Sequence, residues 1–406
     1  MNFIDLFAGA GGLSEGFMAN GFDPIAHVEM GKEACDTIRT RTAYYHLKNI
    51  GDKKKYNSYL QGKISKEQLW KDTPEKLMRS VINEEISDDT IKGIFQRIDE
   101  LLSSKKVDVL IGGPPCQAYS LVGRSRDPQG MLWDKRNFLF RYYAEFLKRY
   151  KPRFFVFENV LGLLTAGNSV YFKEMQALFT EIGYSVDFEV LKAEDYGVLQ
   201  KRRRVIIIGR KGKKKFKFPT LDKSENKWQI KNDLFSDLPN LKHGEEKHVT
   251  DYKKDCTDYL KRKELRNGVD YTTQHITRPH NDRDLEIYSI AVDKWLNDRT
   301  RLKYNDLPNY LKTHKNTGAF LDRYKVVDPY GLSHTVVAHI AKDGHYYIYP
   351  DKKQIRSISV REAARIQSFP DNYFFEGGRT AAFRQIGNAV PPLMAKSIAE
   401  SIKKII

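Results

Sequence analysis

A single cysteine follows a short apolar run in the first third of the chain. Residues 107–111 read Val-Asp-Val-Leu-Ile, which is typical of a buried β-strand, and residues 112–120 read Gly-Gly-Pro-Pro-Cys-Gln-Ala-Tyr-Ser. The two prolines end the strand and stiffen the turn before Cys116. Open α/β sheets bind their ligands just past the carboxyl ends of strands, so a cysteine on this turn indicates a nucleophile. A small buried side chain is the alternative, because most free cysteines pack as hydrophobes.

One carboxylate and two arginines are candidates to act with Cys116. Glu158 ends the apolar run 153–157, a second predicted strand, and is therefore expected at the same edge of the sheet. A thiolate beside a carboxyl group suits attack on an electron-poor ring, with the acid donating to a ring nitrogen. Strand alternation predicts that Arg202 and Arg204 share a face, where they could hold a phosphate or a carbonyl oxygen. The alternatives are a helix N-cap for Glu158 and a solvated basic turn for the arginines.

A glycine-rich turn near the amino terminus is a candidate site for a nucleotide-like ligand. Residues 5–12 read Asp-Leu-Phe-Ala-Gly-Ala-Gly-Gly, between a predicted strand and a predicted helix over 13–20. Glycines let the backbone approach a ligand closely, and the amino end of the helix adds positive potential. The glycine offsets differ from those of the dinucleotide fingerprint. Glu29, at the end of the next strand, is placed to accept hydrogen bonds from ribose hydroxyls; a solvated loop acid is the alternative.

The order of predicted elements indicates an α/β fold with a doubly wound sheet. Residues 46–106 are charged and mostly helical in pattern, which predicts an insertion containing helices. The basic run over 211–217 indicates a domain boundary, and the polar, weakly periodic chain that follows to about residue 340 is typical of an irregular binding domain. A short helix is predicted over 360–367, and a turn followed by a final helix over 385–406.

Composition narrows the class of partner and the compartment. The chain has 406 residues and a formal net charge of +17, which favours a polyanionic partner such as nucleic acid. Its three cysteines, Cys35, Cys116 and Cys256, show no paired spacing, so no disulfide framework and a reducing compartment are expected. No run is long and apolar enough to span a membrane, and a strand that starts at the second residue leaves no room for a signal peptide.

Taken in order, these motifs resemble those of the DNA cytosine-5 methyltransferase family. The matching stretches are Asp5–Gly12, Gly113–Ser120, Glu158–Val160, Gln200–Arg204, Arg361–Pro370 and Gln385–Pro391. The resemblance implies a doubly wound, Rossmann-like sheet of the S-adenosylmethionine-dependent methyltransferase type, with a second, smaller target-recognition domain. The expected division is a catalytic and cofactor-binding domain over 1–215, completed by 380–406, a target-recognition domain over 216–345, and a connecting segment over 346–379.

The resemblance also implies a chemistry for each catalytic candidate. Cys116 would add to C6 of cytosine, Glu158 would hold and protonate N3, and Arg204 together with Arg202 would steady O2 and the nearby phosphate. C5 would then take a methyl group from S-adenosylmethionine, leaving S-adenosylhomocysteine. C5 is a poor nucleophile until a covalent bond at C6 loads it with electron density, and in duplex DNA the base must be flipped out first.

Cofactor and DNA contacts follow from the same resemblance. Phe7 would lie against the adenine, the Gly9–Gly12 turn against the methionine part and Glu29 on the ribose. The full expected cofactor set is Phe7, Gly9, Ala10, Gly11, Gly12, Glu29, Met30, Pro114, Asn388 and Val390. The stretch Gln117–Lys135 resembles the family's mobile loop, and the expected DNA contacts in it and directly after it are Gln117, Ser120, Arg124, Arg126 and Arg136. Two positions depart from the family: Met30 replaces an aromatic residue, and Glu85-Ile86, displaced by the insertion, is the nearest match to the family's Asp-Ile pair.

The expected partner is double-stranded DNA, and the expected role is that of a prokaryotic modification enzyme. A cognate restriction endonuclease would be a functional rather than a physical partner; a cytoplasmic, DNA-associated monomer without membrane contact is expected. Two rivals remain, a transfer-RNA cytosine-5 methyltransferase and a non-catalytic DNA-binding protein on the same scaffold. Eight histidines between residues 243 and 345 show no compact ligand pattern with cysteine, so no metal is expected. The segments 225–227 and 350–351 only faintly resemble a nuclease.

Overall fold

A seven-stranded mixed sheet forms the centre of the part of the chain that is described, residues 1–115, 139–224, 227–313, 318 and 320–406 of a computed structural model. The strands up to the polar segment are Asn2–Leu6 (β1), Asp23–Glu29 (β2), Val81–Asn83 (β3), Val109–Gly112 (β4), Phe154–Asn159 (β5), Tyr184–Lys192 (β6), Gln200–Lys201 (β7) and Arg203–Lys211 (β8). The sheet order is β3-β2-β1-β4-β5-β8-β6; β1 to β5 pair in parallel, and β8 is antiparallel to both neighbours. The predicted doubly wound α/β fold is confirmed.

Helices cover both faces of this sheet, which is why its strands are continuous apolar runs. The helices of this half are Gly12–Ala19 (α1), Lys32–Asn49 (α2), Lys53–Leu60 (α3), Lys66–Lys71 (α4), Glu75–Arg79 (α5), Ile91–Leu102 (α6), Leu139–Tyr150 (α7) and Val170–Glu181 (α8). Strand residues alternate between the faces: Leu110 packs with α6, α7 and α8, whereas Val109 and Ile111 pack with α1. The sheet is therefore anchored from both sides, and its strand ends are held in place.

The segment 46–106 contains helices, as expected, and also a strand of the central sheet. β3 is only three residues long and pairs in parallel with β2 at the edge of the sheet. A three-residue run is too short to show periodicity, so the sequence pattern did not reveal it. Because β3 continues the sheet, Glu84 and Glu85 follow directly at its carboxyl edge rather than being displaced from it.

The second half of the chain has fewer regular elements. They are Glu246–Asp251 (β9), Asp258–Arg262 (α9), Tyr271–Ile276 (β10), Asp282–Asp298 (α10), Ser333–His334 (β11), Val360–Ile366 (α11), Arg379–Asn388 (α12) and Pro392–Ile405 (α13). β9 and β10 pair with each other, and β11 pairs with β7. α13 returns to pack on α1, where a Cβ on Gly16 would lie 2.3 Å from the carbonyl carbon of Ala395. The final helix therefore belongs to the cofactor half.

Two cores organise the polar segment. Residues of 230–276, among them Leu234 and Ile276, share a core with α11 and α12, while α10 forms a separate cluster with residues 302–348. Phe216 and Leu221 pack instead in the core beneath the central sheet. The domain boundaries expected at 215, 345 and 379 stay predictions.

Candidate active site

A large cavity lies where the chain changes direction across the sheet. β1 sits between β2 and β4, so the loops after β1 and β4 diverge, and ligands of open α/β sheets bind in that crevice. The cavity has a volume of about 1400 Å³. Its walls include residues expected from sequence: Phe7, Gly9, Ala10, Gly12, Glu29, Met30, Pro114, Glu158, Arg204, Asn388 and Val390.

The turn after β1 holds its shape through unusual backbone angles and close packing. Phe7 has φ of +55°, a left-handed value that a non-glycine residue adopts only where its surroundings hold it, often at functional sites. A Cβ on Gly12 would lie 2.3 Å from the carbonyl oxygen of Val390, so this glycine lets α1 begin against the closing segment. Gly11, expected to touch the cofactor, does not line the cavity; its φ of +76° places it as the N-cap of α1.

Glu29 is neither a solvated loop acid nor an isolated side chain. Its carboxylate accepts hydrogen bonds from the backbone N–H of Gly9 at 2.9 Å and of Gly31 at 2.7 Å. Burial raises the pKa of Glu29, helped by nearby Asp5, and the two N–H donors oppose the rise only in part. The side chain thus ties the glycine turn to the end of β2 at the cavity wall.

Glu158 and Arg204 form an ion pair at the same edge of the sheet. In the antiparallel pairing of β5 with β8, Glu158 lies opposite Ile206, so Arg204 is its diagonal neighbour on the same face. Glu158 Oε1 and Arg204 Nε are 2.7 Å apart, and each side chain is 12% exposed. Glu158 lies within β5, so it is not a helix N-cap.

The turn toward Cys116 is positioned by neighbours of this pair. Asn159 Nδ2 donates to the carbonyl oxygen of Pro114 at 3.3 Å. A Cβ on Gly113 would lie 2.5 Å from Glu158 Oε2, so any residue other than glycine at this position would displace the carboxylate. Cys116 and the expected DNA contacts Gln117, Ser120, Arg124, Arg126 and Arg136 lie outside the described residues.

Arg202 does not share the site of Arg204, which corrects the expectation from strand alternation. Residue 202 falls between β7 and β8, so the alternation of a single strand does not apply. Its side chain is fully buried and donates to the carbonyl oxygens of Val336 at 2.7 Å and Ala389 at 2.9 Å. Arg202 therefore holds the segment beside Val390 and takes no place at the cavity wall.

Two glutamines that sequence reasoning left unassigned support the same segment. Gln200 Nε2 donates to Gln367 Oε1 at 2.7 Å, and Gln367 Nε2 donates to the carbonyl oxygen of Ile386 at 2.6 Å. They connect β7, the end of α11 and the end of α12. Both lie in stretches that carry the family resemblance, which was the one signal that could have found them.

The model of the C-5 cytosine-specific DNA methylase family matches residues 1–69 and 66–404. The chain belongs to the C-5 cytosine-specific DNA methylase family. The methylase is 44% identical to Type II methyltransferase M.Bpa9945I of Bacillus paralicheniformis, over 100% of this chain and 99% of that protein. It is 32% identical to Type II methyltransferase M.DdeI of Desulfomicrobium norvegicum, over 99% and 88% of the two chains.

Solved structures show the same fold. A DNA modification methyltransferase encoded within a prophage (E. coli) superposes with a TM-score of 0.65 at 24% identity, over 100% of this chain and 99% of that one. The Dnmt2 methyltransferase of S. pombe superposes with a TM-score of 0.51 at 15% identity, over 100% and 99%. At these identities the likeness concerns the fold of the methylase alone.

The cavity of the methylase fits S-adenosylmethionine, the methyl donor of its family. Apolar side chains (Phe7, Met30 and Ile86) line it beside Gly9, where a Cβ would meet no atom within 4 Å. Glu29 provides an acid at the end of β2. Within the described ranges no group of three or more His, Cys, Asp or Glu is arranged to hold a metal, and no helix is long and apolar enough to cross a membrane.

A second wall of the cavity comes from the polar segment and was missed by sequence reasoning. The residues that form this wall are Phe320, Lys325, His334, Tyr346 and Tyr347. Burial lowers the pKa of His334 to about 4, so its ring is neutral near pH 7. The ring of His334 stacks on that of Tyr347, with centroids 5.0 Å apart. The methylase therefore encloses its cavity between the central sheet and residues 320–347.

Proposed function

We propose that this DNA cytosine-5 methyltransferase modifies one cytosine of a specific duplex sequence through a covalent bond between Cys116 and C6. The supporting observation is the Glu158–Arg204 pair, which faces the cavity beside the turn that leads to Cys116. A carboxyl group and a guanidinium so placed suit the N3 and O2 edge of a flipped cytosine.

S-adenosylmethionine, when bound, supplies an electrophilic methyl group. We assign its adenine to the wall formed by Phe7 and Ile86, its ribose to Glu29 and its methionine part to the turn over Gly9–Gly12. Glu84 and Glu85 follow β3 at the same wall and are the candidates to accept from the adenine amino group. Asn388 and Val390 also line the cavity, and Val390 lies beside Gly12 at the start of α1.

The chain's own groups carry the covalent steps. The Cys116 thiolate forms a bond to C6 while Glu158 delivers a proton to N3, so the electron pair of the C5–C6 double bond is held as an enamine rather than as a ring anion. Arg204 neutralises charge at O2 and orients Glu158. After C5 is methylated, a base removes the C5 proton, the C6–S bond breaks and N3 returns its proton to Glu158, which restores the aromatic ring, the carboxylic acid and the free thiolate.

We propose further that the segment after Cys116 binds the DNA duplex and that the enzyme protects DNA in a restriction-modification system. The expected DNA contacts would fill the space left by the flipped base and bind the phosphates. These residues are Gln117, Ser120, Arg124, Arg126 and Arg136. The relatives named as Type II methyltransferases, at 44% and 32% identity, support a modification enzyme of a restriction-modification system, with a separate endonuclease reading the same site. S-adenosylmethionine is its cofactor, without a metal.

The test is transfer of labelled methyl to unmethylated plasmid DNA and to transfer RNA, with the wild type and Cys116→Ala compared. Label on DNA that disappears with Cys116→Ala is expected, and bisulfite sequencing then maps the modified cytosine. Covalent trapping on DNA containing 5-fluorocytosine is expected for the wild type alone. Label on RNA and not on DNA would show that the protein is an RNA methyltransferase. Absence of label on both substrates, with DNA binding intact, would show that it is a non-catalytic DNA-binding protein.

A further inference from the structure

A group of lysines lies at the end of the sheet opposite the cavity. Lys211 is the last residue of β8, the next three lysines are Lys213, Lys214 and Lys215, and all four side chains are exposed. β8 runs antiparallel to β5, so its last residues meet the first residues of β5, whereas Arg204 and Glu158 meet at the other end. The six residues of β5 alone separate the two ends by about 20 Å, at roughly 3.3 Å per residue. We call this surface the basic edge.

Further cations join the basic edge from neighbouring elements. The backbone N–H of Lys211 donates to the carbonyl oxygen of Arg153 at 2.9 Å. Arg153 donates to the backbone oxygen of Ile406, which brings the end of α13 and its Lys403 and Lys404 alongside. The basic edge is therefore continuous across at least three segments of the chain.

Helix dipoles explain part of this charge and leave the rest unexplained. Lys403 and Lys404 stand in the last turn of α13, where a cation is stabilised by the negative end of the helix. Lys213, Lys214 and Lys215 lie in the turn after β8 and belong to no helix, although the backbone N–H of Gly212 in this turn donates to the carbonyl oxygen of Gly183, just past the end of α8, at 2.9 Å. Among the described residues none of these three forms an ion pair, although Lys404 pairs with Asp222 at 2.7 Å. Three exposed neighbouring lysines repel one another weakly through water, and a bound polyanion relieves that repulsion.

We infer that the basic edge binds the phosphate backbone of a second segment of duplex DNA, apart from the segment in the cavity. This inference rests on the proposed function, because DNA reaches the basic edge only if DNA is the substrate. Duplex DNA is stiff over about 150 base pairs, so one short duplex does not bend around the molecule to touch both ends of the sheet. Exposed lysines contact phosphates without reading sequence, and the basic edge therefore holds any duplex.

The first measurement is binding of poly(dA·dT), a duplex without cytosine, between 50 and 300 mM KCl. Full-length wild type is compared with Lys213→Gln/Lys214→Gln/Lys215→Gln. A matched control, Lys53→Gln/Lys54→Gln/Lys63→Gln, removes the same charge from exposed positions away from the basic edge. The slope of log affinity against log salt is expected to become shallower by about 3 in the first variant, at roughly 0.9 per phosphate contact, and to change less in the control.

The second measurement asks whether two duplexes bind at once. Immobilised plasmid carrying the mapped target, loaded with wild-type protein, is expected to capture labelled poly(dA·dT), and the basic-edge variant is expected to capture several-fold less. Methyl transfer to a short target duplex and the unfolding temperature are expected to be unchanged in that variant. The inference would be overturned if the slope of log affinity against log salt were the same in all three proteins. It would also be overturned if the basic-edge variant captured as much labelled poly(dA·dT) as the wild type. If the wild type transferred no methyl group to DNA, the proposed function would fail, whereas the salt dependence on poly(dA·dT), which offers no cytosine, would still test binding at the basic edge.

Discussion

At the scale of single residues, the position of Glu158 depends on its neighbours as much as on its own side chain. Arg204 holds one carboxylate oxygen, and the missing side chain of Gly113 leaves room for the other. A carboxyl group held on both sides presents a defined edge to a ring nitrogen, which costs no reorganisation during the reaction. The two predictions that follow separate the chemistry of Glu158 from its position.

Glu158→Gln keeps the size and a hydrogen-bond acceptor but removes the acidic proton. We expect the turnover number for methyl transfer to fall by about 10²–10⁴-fold, the usual contribution of a positioned general acid, with cofactor affinity nearly unchanged. Glu189→Gln is the matched control, since Glu189 on β6 also lies opposite Ile206 but is exposed away from the cavity. Equal losses in both variants would refute a chemical role for Glu158.

Gly113→Ala tests the position of the carboxylate without altering it chemically. The added Cβ would fall 2.5 Å from Glu158 Oε2 and push the carboxylate aside. A shift of about 1 Å at a reacting group can cost about 10²-fold in rate, so we expect at least that loss in methyl transfer kinetics. Gly93→Ala is the control, because Gly93 in α6 has open space and its replacement stabilises the helix by roughly 0.5–1 kcal/mol. Wild-type turnover in Gly113→Ala would contradict the packing argument.

At the scale of elements, buried arginines attach the polar segment to the rest of the chain. Arg365 of α11 pairs with Asp237 at 2.6 Å and with Asp371 at 2.6 Å, and all three side chains are fully buried. The bidentate geometry and the opposed charges hold the pKa of Asp371 below its usual range despite burial. This cluster joins residues near 237 to α11, so that segment moves with the helix.

Arg365→Met removes the nearest counter-charge of two buried carboxylates, which keep only the more distant Arg266 (3.3 Å from Asp237) and Arg361 (4.0 Å from Asp371). We expect the free energy of unfolding to drop by about 3–5 kcal/mol in denaturant titrations, the usual cost of removing one partner of a buried pair. Arg262→Met, on the exposed face of α9, is expected to change it by less than about 0.5 kcal/mol. A loss in Arg365→Met no larger than in the control would show that the cluster does not hold these elements together.

At the scale of the whole molecule, stability depends on histidines that are buried in neutral form. Burial lowers the pKa of His275 to about 4, while its ring bonds Ser359 and the carbonyl oxygen of Pro239, each at 2.9 Å. A depressed pKa in the folded state gives stability that is complete above the unfolded value near 6.5 and is lost as pH falls toward 4. Acidification therefore weakens the fold before the carboxylates titrate.

The free energy of unfolding is expected to fall by about 2 kcal/mol for His275 alone between pH 7.5 and pH 5. Urea titrations at the two pH values measure it. His275→Asn is expected to have a lower free energy of unfolding than the wild type at pH 7.5. Between pH 7.5 and pH 5 its free energy of unfolding is expected to fall by about 2 kcal/mol less than that of the wild type. His248→Gln, at a side chain that is 73% exposed, is expected to show the pH dependence of the wild type. An unchanged pH dependence in His275→Asn would contradict the assignment.

The sequence by itself determined the doubly wound sheet and the edge at which Glu158, Glu29 and the glycine turn meet. These features are local: apolar runs define the strands, and parallel strands bring their carboxyl ends together whatever the rest of the chain does. The order of motifs was likewise sufficient to find the family.

Only the tertiary structure decided what each of these side chains contacts. Arg202 and Arg204 stand two residues apart in one basic run, yet one is buried among carbonyl groups and the other pairs with Glu158. β3 is too short to show a pattern, and His334 reaches the cavity from a segment without periodicity. Such contacts join residues from 46 positions apart, as in Glu158 and Arg204, to 134 apart, as in Arg202 and Val336, and local patterns carry no information about which distant residue will fill a given space.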